Sequence, residues 1–122
     1  MKRILIAEDR AGSRELVRTV LEDSGYTVVE ACDGAEAVQQ AMISVPDLVL
    51  LDLQMPILDG YAVLRYLRRD VRFAPIPFVA LTANAMEGER ERALTAGFSV
   101  FITKPVDLIF LRTELAKLLD RI

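Results

Sequence analysis

The sequence predicts an α/β domain built on a parallel five-stranded sheet with helices on both faces. Five short apolar runs, at residues 2–7, 26–31, 47–51, 78–81 and 99–103, alternate with amphipathic or charged stretches. The connections between them are short, and strand–helix alternation of this kind implies right-handed parallel crossovers. The third run, Leu48-Val49-Leu50-Leu51, is wholly aliphatic and is followed by Asp52 and by turn chemistry at Pro56, Asp59 and Gly60. That is the pattern of a central strand buried on both faces.

Each element has its own signals. Strand one ends in Glu8-Asp9. Gly12-Ser13 opens helix one, with Leu16, Val17, Val20 and Leu21 as its apolar stripe, Arg14, Arg18 and Glu22 opposite, and Gly25 as its C-terminal cap. After strand two, Asp33-Gly34-Ala35-Glu36 has capping-box spacing and begins helix two. Ala37, Val38, Ala41 and Met42 form that helix's apolar face, and Pro46 stops it. Tyr61, Val63, Leu64, Leu67 and Val71 pattern helix three, with Arg65, Arg68, Arg69 and Asp70 outward. Pro75 and Pro77 bracket the entry to strand four. Residues 87–96 form a highly charged helix four capped by Gly97. Asp107 is the N-cap of a last helix running to Ile122. Leu108, Leu111, Leu115, Leu118, Leu119 and Ile122 share its inner face, with Phe110, Glu114, Lys117 and Arg121 opposite.

Composition narrows the function classes. A chain that is 52% hydrophobic and 27% charged is too apolar for disorder. A net charge of −3, from 15 basic and 18 acidic residues, argues against a nucleic-acid surface. No apolar run approaches the ~18 residues of a membrane span. Glu8-Asp9 cuts the N-terminal apolar run too short for a signal peptide, so a cytoplasmic location is expected. There is one cysteine, Cys32, and no histidine, which excludes an internal disulfide and a His/Cys metal site. Cys32 reads as a small buried hydrophobe, and Met55 and Met86 as loop packing. Without histidine, chemistry must rest on carboxylates, lysine, hydroxyls or a hard metal ion.

The strand ends supply those groups: Glu8 and Asp9 after strand one, Asp52 after strand three, Thr82 after strand four and Lys104 after strand five. In a parallel sheet these ends share one edge, where ligands of open α/β sheets bind. Clustered carboxylates are costly to ionise together without a counter-charge. Mg²⁺ prefers oxygen ligands and would relieve that repulsion, leaving Asp52 as a carboxylate nucleophile for phosphoryl transfer.

On Glu8-Asp9, Leu51-Asp52 with Met55-Pro56 and Asp59-Gly60, Leu81-Thr82-Ala83 and Lys104-Pro105, the chain resembles a response-regulator receiver domain of two-component signalling. The resemblance spans essentially the whole chain, residues 1–122, as a stand-alone receiver without an output domain. It implies a flavodoxin-like (βα)5 three-layer sandwich with strand order 2-1-3-4-5. It also implies that Asp52 accepts a phosphoryl group from a histidine kinase or histidine phosphotransfer protein. Mg²⁺ would be held by Asp9 directly, by Glu8 more often through water, by Asp52 and by the backbone carbonyl of Gln54. Lys104 would contact the phosphoryl group, its bond to Pro105 would be cis, and Thr82 and Phe101 would be the switch residues. Phe101 stands where relatives commonly have Tyr, so it lacks a hydroxyl to bond a partner. Gln54 and Asn84 occupy positions that tune phosphoryl lifetime. The chain would act on a downstream protein target and be no enzyme beyond its own phosphorylation and dephosphorylation; a phosphorylation-driven homodimer is left open. The alternative is a phosphorylation-independent interaction module of the same fold. An aspartate-nucleophile phosphatase of the haloacid dehalogenase type would want an acid where Gln54 stands, and a flavodoxin would want a hydroxyl- and glycine-rich loop where Glu8-Asp9-Arg10 stands.

Overall fold

A computed structural model describes residues 1–120 of the chain. The elements in order are β1 (Arg3–Ala7), α1 (Ala11–Asp23), β2 (Thr27–Ala31), α2 (Gly34–Ser44), β3 (Leu48–Asp52), α3 (Gly60–Leu67), a 3₁₀ turn (Val71–Phe73), β4 (Phe78–Thr82), α4 (Glu89–Ala96), β5 (Val100–Thr103) and α5 (Leu108–Leu119). The strands are parallel in the order β2-β1-β3-β4-β5, as the resemblance implies. Every residue of β3 and β4 is buried, which explains their unbroken apolar runs.

Side-chain alternation along the strands divides the interior into two layers. Leu5, Val49, Leu51, Phe78 and Ala80 pack with Ala37 and Ala41 of α2, Leu64 and Leu67 of α3, and Ala93 of α4. Ile4, Ile6, Leu48, Leu50, Val79 and Leu81 face Val17 and Leu21 of α1 and Leu111, Leu115 and Leu119 of α5. The register sets Ala7 beside Leu51, Asp52 beside Leu81, and Thr82 beside Thr103, so the ends of these strands lie level.

Aspartates start three of the helices. Asp33 Oδ1 accepts from the N–H of Glu36 at 2.7 Å, and Asp59 Oδ1 from that of Ala62 at 2.9 Å. Asp107 Oδ1 accepts from Ile109 and Phe110, each at 3.0 Å. The reciprocal bond of the Asp33 box reaches one residue further back than the motif implies, from the N–H of Cys32 to Glu36 Oε1 at 3.0 Å. Gly25 and Gly97 follow helix ends at φ 92° and 122°. Two β-branched residues, Val45 (φ 41°) and Ile57 (φ 73°), also adopt positive φ.

Some side chains depart from the sequence expectation. Leu16 and Met42 are exposed, because each lies on the shoulder of its helix while Val17 and Leu21, or Ala37 and Ala41, meet the sheet. Val71 is 84% exposed, since α3 ends at Leu67 and the helical period does not continue into the 3₁₀ turn; Phe73 fills the core instead. Arg68 points inward: Nη1 donates to the carbonyl oxygens of Phe73, Ala74 and Ile76, and the guanidinium lies 4.5 Å from the Phe78 ring centroid. Cys32 is exposed, not a buried hydrophobe. Met55 is buried in the core, whereas Met86 faces solvent. Phe110 is exposed opposite the buried face of α5; the expectations for Arg121 and Ile122 lie outside the described residues. No helix among the described residues is long and apolar enough to cross a membrane.

Candidate functional site

The five strand-end residues singled out in the sequence converge. Lys104 Nζ donates to Asp52 Oδ2 at 2.7 Å and, in a shorter contact, to Glu8 Oε1. Glu8 and Asp52 are 1% and 3% exposed, while Asp9 is open to solvent. Glu8, Asp9 and Asp52 each place one carboxylate oxygen within 4.8 Å of the others. The remaining Asp52 oxygen, Oδ1, accepts from the N–H of Gln54 at 2.9 Å. Thr82 is fully buried; its hydroxyl donates to Gln54 Oε1 and accepts from the N–H of Asn84, both at 3.0 Å. The Lys104–Pro105 peptide is cis.

Neighbouring elements hold this arrangement in place. Asp52 and Thr82 end strands paired on both sides, and the N–H of Lys104 donates to the Thr82 carbonyl at 2.7 Å. Arg14 Nη1 donates to the Glu8 carbonyl at 2.7 Å and its Nε to Glu30 at 3.1 Å, tying the end of β1 to α1 and β2. The β3–α3 loop is pressed between two glycines. A Cβ on Gly34 would lie 2.0 Å from the Leu58 carbonyl oxygen, and one on Gly60 would lie 2.7 Å from that of Asp52. Sequence reasoning missed the Arg14 tie and the Gly34 contact. It used Gly60 only as a turn signal and did not see the side-chain bond between Gln54 and Thr82.

The site's electrostatics follow from burial and crowding. Desolvation first, then the adjoining Asp52 carboxylate, push the Glu8 carboxyl up to about 7, against the opposing pull of Lys104. Burial works against the charge on Lys104, but its bonds to Asp52 and Glu8 outweigh that and hold the ammonium above its ordinary value. Glu8 Oε2 is buried with no hydrogen-bond partner among the described residues. A buried oxygen without a partner, beside two more carboxylates in reach, is a donor set that fits a hard divalent cation.

The response regulator receiver domain family matches residues 4–116. This chain is a response regulator receiver domain. Among its relatives are the polar-differentiation response regulators DivK of Brucella ovis and Brucella abortus, 36% identical over 107 residues, spanning 88% of this chain and 87% of theirs. The receiver domain of a Francisella response regulator superposes with a TM-score of 0.91 at 26% identity, covering 99% of this chain and 98% of that one. The receiver domain of a sensor histidine kinase from Pseudomonas aeruginosa gives 0.88 at 34% identity over 97% of each chain; that structure has a magnesium ion coordinated in its active-site cleft. The receiver described here thus belongs to two-component signalling. Its acidic cluster is Glu8, Asp9 and Asp52. Phe101 lies apart from that cluster on β5, partly buried against the core layer under α2, α3 and α4.

Proposed function

We propose that this receiver, residues 1–122, is a phosphorylation-operated switch in which Asp52 is the phosphoacceptor. The observation that carries the reading is the buried Asp52 carboxylate, held between Lys104 at 2.7 Å and the Glu8–Asp9 pair. A carboxylate oxygen of Asp52 attacks the phosphorus of a phosphohistidine on a histidine kinase or phosphotransfer protein. The P–N bond breaks, and its electron pair leaves with the imidazole. Glu8, Asp9, Asp52 and the backbone carbonyl of Gln54 would hold Mg²⁺, which supplies neutralisation of the carboxylates and of the transferring phosphoryl oxygens. Lys104 takes up negative charge on the phosphoryl group, as a largely buried, preorganised cation can.

Once Asp52 carries the group, the Thr82 hydroxyl turns to it, and the face formed by α4, β5 and α5, with Phe101, changes its presentation to a downstream target protein. Phe101 contributes apolar contact alone. Self-association through α4 and α5 is compatible with the same shift. Chemistry is confined to the chain's own phosphorylation and dephosphorylation, and the kinase partner implies a cytoplasmic setting.

Acetyl phosphate with Mg²⁺ tests the reading by intact-mass measurement. The expected result is a gain of one phosphoryl group, lost on chelation of the metal and in Asp52→Asn. No gain in the unmodified receiver, under conditions where it binds Mg²⁺, would overturn it in favour of a phosphorylation-independent interaction module.

A further inference from the structure

We infer that the Gln54 side chain is a latch on the Thr82 hydroxyl, a positioning residue that holds the receiver in its unphosphorylated arrangement. The inference rests on the reading of Asp52 as phosphoacceptor. A threonine hydroxyl has one proton to donate and two lone pairs to receive with. Here the proton goes to Gln54 Oε1 at 3.0 Å and one lone pair receives the N–H of Asn84 at 3.0 Å. Thr82 is wholly buried, so water cannot replace the glutamine as acceptor, whereas Gln54 is exposed and can exchange its own partner for solvent. The backbone gives Thr82 little room, since its carbonyl is bonded to the Lys104 N–H at 2.7 Å. The hydroxyl can therefore reach a phosphoryl oxygen on Asp52 only by giving up Gln54.

Gln54 thus touches both partners of the switch: its N–H donates to Asp52 Oδ1 at 2.9 Å and its side chain accepts from Thr82. Release is driven because a hydrogen bond to an anionic phosphoryl oxygen is stronger than one to a neutral amide. The height of the latch, not only the strength of the phosphoryl contact, sets how far the two arrangements are separated before phosphorylation. A ligand that favours the released arrangement binds more tightly when the latch is removed, by the factor through which the latch disfavoured that arrangement.

Beryllofluoride with Mg²⁺, a tetrahedral mimic of the acyl phosphoryl group, is the probe. Its affinity is measured by following the Asn84 amide resonance in the unmodified receiver, Gln54→Met, Thr82→Val and the double variant. Met keeps the length of Gln without its strong acceptor, and Val keeps the volume of Thr without the hydroxyl. The expected result is tightening of roughly three- to tenfold in Gln54→Met, the size of one net hydrogen bond. The same change should be absent when introduced into Thr82→Val. Gln54→Ala and Thr82→Ala repeat the cycle where a first variant fails to fold. Unchanged or weaker binding in Gln54→Met overturns the latch, and so does an equal shift in both backgrounds, which would be a steric effect. If the unmodified receiver takes up neither beryllofluoride nor a phosphoryl group, the Asp52 reading falls and the latch with it.

Discussion

The chemistry of the buried Glu8 carboxyl depends on its proton. With burial and Asp52 holding that carboxyl at about 7, it is partly protonated near neutrality, and a metal ion needs the ionised form. Mg²⁺ affinity is therefore expected to rise with pH through 7, with proton release on binding at ~pH 6 that fades by ~pH 8. Calorimetric titration in buffers of different ionisation enthalpy checks this, and Glu8→Gln should abolish the released proton. The folded pKa lies above the unfolded value of 4.5, so the folded chain holds this proton more tightly. The Glu8 contribution to metal-free stability is thus present below 4.5 and lost as pH rises to about 7. Glycines pose a steric question at the same scale. Gly34→Ala would drive a methyl into the Leu58 carbonyl, so a loss of roughly 2–3 kcal/mol in denaturant unfolding is expected, as for overpacking. Glu8, Asp9, Asp52, Thr82 and Lys104 were legible in the sequence because each ends or follows a strand, and parallel strands bring their ends together. The Gln54–Thr82 and Arg14–Glu8 bonds were not, because they depend on rotamers and on how a helix crosses its sheet.

Among the α-helices, α4 buries the fewest side chains. Of its side chains only Ala93 is buried, while Leu94 is 39% exposed, and the Arg92 guanidinium lies 4.6 Å from the Tyr61 ring centroid on α3. Few buried contacts mean easy local opening. Amide hydrogen exchange is expected to be faster in α4 than in α1 or α5, and faster again in Arg92→Ala, which removes the cation–π contact. The charged, leucine-poor stretch already indicated a helix with little to bury. Its start was less legible: Gly88 adopts φ 83° as the N-cap, so the helix begins at Glu89 rather than at residue 87. Likewise, nothing in the spacing of Val71 showed that Arg68 would turn inward and close the α3–β4 connection on three carbonyls.

For the whole molecule, the sheet delivers polar groups to one edge while both of its faces are sealed by apolar side chains. This much followed from the five alternating runs; the strand order came from the family resemblance and is present in the structure. With acids concentrated at one edge, Mg²⁺ held there as proposed would link metal binding to global stability. Mg²⁺ is expected to raise the melting temperature in a concentration-dependent way, by mass action on the folded state. Differential scanning calorimetry should show the increment shrinking in Asp9→Asn, whose exposed carboxylate joins the cluster without being part of the core.

Ile57 bears on how far natural selection has pushed this chain. It holds a left-handed backbone at φ 73° although it is β-branched, and with 75% of its surface in water it gains little packing in return. Replacing it with glycine should stabilise the fold by about 1 kcal/mol, readable as a higher unfolding midpoint. That gain would mark a receiver held above a stability threshold rather than at its optimum, with room left for drift.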